Sequence, residues 1–171
     1  MANPFLDVTT LERAGEGHYR GTITEDWVLR PLPQGGVVTA MAVRAMQDEL
    51  DHPEQRLRTL HTSFVGQVGA GPVEVEVEVL RRGRSMSHAR AEVRNPGTGR
   101  GHLTTAIFGA ARRGFHFTDL EPPAERTPPA ECRSFRDPVP EGVEPFPPMP
   151  FWDRVVEGRA EQLRRLELGT L

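Results

Sequence analysis

A glutamine and two glycines, Gln34–Gly35–Gly36, stand directly before an apolar run, Val37–Val43 (VVTAMAV). If that run is helical, the first backbone N–H groups lie bare at the positive end of the helix dipole, bordered by Val37. Such an end polarises a carbonyl and holds the oxyanion formed when a nucleophile adds to it. The glycines equally serve close packing of a helix on a sheet. His61, in Leu60–Phe64 (LHTSF), is either a base or orienting donor or a hydrogen-bonded structural residue. Thr62, Ser63 and Phe64 either line a ligand tunnel or pack within a sheet. The turn Arg81–Ser85 (RRGRS) brings Arg84 and its neighbours to a tip, where guanidinium forks match phosphate geometry. A solvated hairpin turn has the same composition. Asp48 and Glu49 could supply a carboxylate, but about three turns of helix separate them from the glycine pair. The six histidines have no paired spacing suited to zinc, and the single cysteine, Cys132, has only Arg133 nearby to lower its pKa. No metal site is expected, and no nucleophile elbow, P-loop or dinucleotide fingerprint is present.

The elements that must carry these residues follow from periodicity. The run from Gly35 continues to Leu50 and meets Asp51–His52–Pro53, which predicts a helix of about 15 residues stopped by the proline. Between Val37 and Val43 only Thr39 is polar, so the helix is expected to be buried nearly all round. Gly17–Thr24 reads as a short strand before it. Four strand-like runs come after it: Arg56–Val68, Val73–Leu80, Met86–Arg94 and His102–Ala111. Val73–Leu80 (VEVEVEVL) alternates without a break, so its glutamates must meet solvent or arginines from neighbouring strands. Asn95–Gly101 (NPGTGRG) is a hairpin loop by its turn residues. One strand, a buried helix and four strands predict an α+β domain, a helix wrapped by an antiparallel sheet.

Length and composition bound the rest. At 171 residues, 37% hydrophobic and 26% charged, the chain has room for one domain and one core, with a short appendage. A net charge of −3 removes the electrostatic footprint of nucleic-acid binding. All 21 basic residues are arginine, which excludes lysine Schiff-base chemistry. The N-terminus lacks the pattern of a secretory signal, no run approaches the ~20 apolar residues of a membrane span, and one cysteine makes no internal disulfide. A cytoplasmic protein that binds no membrane is expected. Ten of the 16 prolines fall between Pro122 and Pro150. The domains expected are therefore residues 1–113 as the folded body, 114–150 as a proline-rich linker or surface strap, and 151–171 as an amphipathic segment. Within the last, Phe151–Leu168 places Trp152, Val155, Val156, Ala160, Leu163 and Leu166 at helical intervals, weakened by Gly158.

Leu32–Ala42 (LPQGGVVTAMA), Leu60–Phe64, Gly71–Val79 and Leu80–Ser87 (LRRGRSMS) together resemble the hotdog fold of the bacterial type II acyl-CoA thioesterases and the wider thioesterase-like superfamily. The resemblance covers about residues 17–113. It implies a hotdog, a long central helix wrapped by a curved antiparallel sheet, with an acyl-CoA or acyl-carrier thioester as its ligand and no cofactor. It further implies a homodimer or pairing with a second hotdog, since members carry two hotdogs in tandem and this chain corresponds to the first. Gln34, Gly35, Gly36, Val37, Thr62, Phe64 and Arg84 are the substrate-binding candidates, with Gln34 and His61 the candidates for catalysis. The family's catalytic Asp, Thr and Gln come from the second hotdog. The corresponding positions here hold Arg44, Leu57 and Gly109, so no triad carries over. Three readings follow: a thioester hydrolase, a non-catalytic half that binds acyl groups or dimerises, and a hydratase or dehydratase on the same fold.

Overall fold

Backbone demands explain where each element starts and stops. In the computed structural model, residues 3–115, 117–121, 126–134, 136–139, 141–142 and 150–160 are described. A short helix α1 (Pro4–Thr9) begins at Asn3, whose side chain accepts from the N–H groups of Phe5 and Leu6. Strands β1 (Glu12–Gly15) and β2 (His18–Ile23) then form a hairpin. The long helix α2 (Gly35–Leu50) follows and ends where Asp51 turns left-handed, its N–H returning to the carbonyl of Gln47. Strands β3 (Arg56–Phe64), β4 (Gly71–Arg81), β5 (Met86–Arg94) and β6 (His102–Gly109) complete the body.

These six strands form one antiparallel sheet in the order β1-β2-β4-β5-β6-β3. Helix α2 lies on the face carrying Val73 and Val75 of β4, Ala89, Ala91 and Val93 of β5, and Thr104, Ala106 and Phe108 of β6. The other face of the β4–β5 pair is ionic: Arg94 bridges Glu76 at 2.5 Å and Glu74 at 3.5 Å, and Arg90 meets Glu78 at 2.6 Å. The arginine ladder thus accompanies the uninterrupted alternation of β4. Val37, Val38, Met41, Ala42, Ala45, Met46 and Leu50 of α2 are buried, while Gly36, Arg44 and Asp48 are exposed. The helix is therefore buried on most of its circumference, with one narrow wet stripe.

Two local arrangements settle the acidic end of α2. Arg82, from the β4–β5 turn, donates to the carbonyls of Leu50 and Glu49, closing the last turn. Glu49 accepts from the Tyr19 hydroxyl at 2.7 Å and the Gly17 N–H at 3.1 Å, and pairs with Arg13 at 2.9 Å.

The structure differs from the sequence expectation at both ends. Helix α1 and strand β1 precede the strand expected first; both are short, and β1 (ERAG) is exposed throughout and so carries no alternation. The chain divides into two units, residues 1–112 and 113–171. In the second, Arg133–Ser134 (β7) pairs antiparallel with Arg159–Ala160 (β8), and Phe151–Val155 is one π-type turn. The helix expected over Phe151–Leu168 is thus absent from 151–160, where β-branched Val155 and Val156 and then Gly158 favour extended backbone. Residues 161–168 lie outside the described residues.

Candidate functional site at the opening turn of the long helix

Gln34 sets the geometry at the start of α2. Its N–H donates to the carbonyl of Trp27 at 2.9 Å, and its Oε1 accepts the N–H of Val37 at 2.9 Å. A Cβ on Gly36 would stand 2.7 Å from that oxygen, so the glycine is what lets the glutamine fold back over the turn. The N–H groups of Gly35 and Gly36 have no partner among the described residues. They remain available to an acceptor at the positive end of a 16-residue helix. The side chain of Val37 points into the core, at 1% exposure.

The register of β3 decides which of its residues reach this end. Leu57, Leu60, Thr62 and Phe64 pair with Phe108, Ala106, Thr104 and His102, and cross-strand partners share a face. Thr62 Oγ1 lies 3.0 Å from Thr104 Oγ1 and accepts from Thr39 Oγ1 of α2 at 3.3 Å. Three hydroxyls therefore line up between helix and sheet, one turn along from Gly35. Phe64 lies over Gly35 itself: a Cβ there would be 2.9 Å from Phe64 Cε1. His61 has the opposite parity and faces away from α2, 3.4 Å from Ser63 Oγ. Arg84 is also remote, because Arg82 and Gly83 of its turn bond the opposite end of the helix and Gln55.

His102, which the sequence reading passed over, is brought to the site by β6. Its ring meets Phe64 edge-on, with centroids 4.5 Å apart at 87°. It is 7% exposed, its Nδ1 has no partner among the described residues, and burial holds its pKa below the ordinary imidazole value. Close approach fixes the strand start, since a Cβ on Gly101 would stand 1.9 Å from the carbonyl oxygen of Val93. Gly35, Phe64 and His102 border a cavity of about 330 Å³, walled by Leu32, Pro33, Val65 and Val68. A cavity of about 490 Å³ lies at the other end of α2, lined by Arg44, Asp48, Arg56, Tyr19 and Phe108 among others. Arg44, Leu57 and Gly109, the positions that the sequence resemblance sets against the family's catalysts, gather near it: Arg44 lines it, Leu57 pairs with Phe108, and Gly109 with Arg56. We place the candidate site at the smaller cavity, which Gly35 at the start of α2 and His102 both border. Among the described residues, no three of His, Cys, Asp and Glu gather as metal ligands, and no helix is long and apolar enough to cross a membrane.

The profile of the acyl-CoA thioesterase N-terminal domain matches residues 23–109, just over half of the chain. The chain belongs to that family. Solved structures repeat the fold. A hotdog-fold protein from Alicyclobacillus acidocaldarius superposes with TM-score 0.73 at 24% identity, covering 90% of this chain and 53% of that one. A thioesterase II from Thermobifida fusca gives 0.68 at 20%, covering 82% and 51%. An acyl-CoA thioesterase II from Mycobacterium marinum gives 0.62 at 22%, covering 75% and 47%. This thioesterase-family chain spans about half the length of these relatives. No curated protein matches it. The hotdog expected from the sequence is the fold observed, and the match of 23–109 lies within the body formed by β2, α2 and β3–β6.

Proposed function

We propose that this chain binds an acyl thioester with its carbonyl at the opening turn of α2, and hydrolyses it when a second hotdog pairs along β3. The observation that carries the reading is the pair of unclaimed N–H groups on Gly35 and Gly36, the first of which borders an apolar cavity. In the step proposed, water adds to the thioester carbonyl, the N–H groups hold the oxyanion, and collapse breaks the C–S bond to release thiol and acid. The groups that activate the water come from the second hotdog, since Arg44, Leu57 and Gly109 offer none in the family's pattern. Pairing is supported by the exposed apolar inner face of β3, where Leu57 is 37%, Leu60 43% and Phe64 64% exposed.

A second reading, an acyl-binding half without turnover, is favoured by those same three positions. Thiol release and calorimetric binding, measured across a series of acyl-CoAs, separate the two. Saturable binding with thiol release supports hydrolysis. Binding without release supports the second reading, and no binding at any chain length overturns both.

A further inference from the structure

The larger cavity, about 490 Å³ at the far end of α2, is bordered by Arg44 from the helix and Arg56 from β3. Both are exposed, and neither makes an ion pair among the described residues. Arginines that border the cavity on the outer face of the sheet are already spent, Arg90 on Glu78 and Arg100 on Glu92. The acids at the end of α2 leave the two guanidiniums unanswered. Arg13 holds Glu49 at 2.9 Å and Asp48 at 3.6 Å, and Asp51 stands about two turns beyond Arg44. Two guanidiniums without a counter-ion at one cavity suit a phosphate, whose oxygens accept from both forks. We propose that Arg44 and Arg56 bind the phosphate that ends the pantetheine arm of the acyl thioester. The inference rests on the acyl-thioester reading above and gives its ligand a second anchor.

Length supports the assignment. Gly36 and Arg44 stand on the wet stripe of α2, eight residues and therefore ~12 Å apart. The arm between a thioester and its phosphate is a chain of two amide-linked segments, about as long as five residues of extended backbone, or ~17 Å. With the carbonyl at the opening turn, an arm laid along the stripe carries its phosphate just past Arg44, into the cavity that Arg56 borders from the other side. Coenzyme A and a carrier protein both present this phosphate, and only the coenzyme adds the nucleotide with its further phosphates.

The test uses the full chain and three ligands bearing one acyl group, with a methylene in place of the sulfur: the pantetheine, 4′-phosphopantetheine and CoA forms. Calorimetry at low salt should find the phosphopantetheine form tighter than the pantetheine form on the order of tenfold. That gap should narrow as salt is added. A further gain with the CoA form supports the coenzyme as the source of the phosphate, and equality of the two phosphorylated forms supports the carrier arm. The Arg44→Gln, Arg56→Gln double variant should lose the preference for phosphate, and its binding of the pantetheine form reports that it is folded. Equal binding of all three forms, or a preference that survives the double variant, overturns the assignment of the two arginines and leaves the acyl reading standing. Failure of all three to bind overturns the acyl reading, and this inference with it.

Discussion

Gly35 can be tested without disturbing the helix it begins. It occupies the first helical position, and Gln34 before it has φ −58° and ψ 121°, the extended geometry that a following proline demands. Gly35→Pro deletes one N–H that the helix does not use, and the exposed Phe64 ring gives way to the new atoms. Thiol release should fall about 10²–10³-fold while thermal stability is nearly unchanged. A variant that turns over normally would remove the oxyanion role. His102 makes a second prediction through linkage. Its folded pKa lies below the unfolded value near ~6.5, so between the two the unfolded chain binds a proton that the native protein refuses. Its contribution to stability is complete above about pH 6.5 and declines as the pH falls toward the folded value. Denaturation at pH 7.5 and 5.5 should show a smaller loss in His102→Phe than in the wild type.

Among the elements, α2 depends on contacts made far along the chain. The Tyr19–Glu49 bond ties β2 to its last turn, and both groups titrate away from their ordinary values. Burial, then the bond to Glu49, pushes the tyrosine up. Burial also pushes Glu49 up, but the bonds from Tyr19 and Gly17 and the charges of Arg13 and Arg82 together bring it below the carboxylate range. A depressed carboxylate stabilises the fold above its unfolded pKa and ceases to as the pH falls through its folded value. Tyr19→Phe should cost about 1.5–3 kcal/mol at neutral pH, the range for a bond to a charged group, with the deficit shrinking in acid. Urea titrations at pH 7 and pH 3 check it.

Much of this element was readable beforehand. Pro53 and the apolar run located α2, and alternation located β3 to β6, because those patterns are local. Strand order is not local. Nothing in HLTTAIF says that β6 lies beside β3, so neither the Thr39–Thr62–Thr104 line nor the meeting of His102 with Phe64 could be read from spacing. The parity that turns His61 outward has the same origin, since it is set by pairing with β6.

For the molecule as a whole, the decisive feature is β3. It is the last strand of the sheet, nine residues long, and its inner face is exposed at Leu57, Leu60 and Phe64. Among the described residues no strand pairs with its outer side, and an edge with an apolar flank is a template for another strand. Leu60→Arg should hold the protein as a monomer in sedimentation velocity and abolish thiol release, without altering the circular dichroism of the body. A wild type that is monomeric at every concentration would place the second hotdog elsewhere than in a second copy.

Pairing of two copies along β3, as proposed, would also tie thermodynamics to dose. A rim quenched by such association would make unfolding a process of higher order, so the melting temperature should climb as the solution is concentrated and sink on dilution. Two scans a hundredfold apart in protein would read the strength of the pairing directly, with no ligand in the cell.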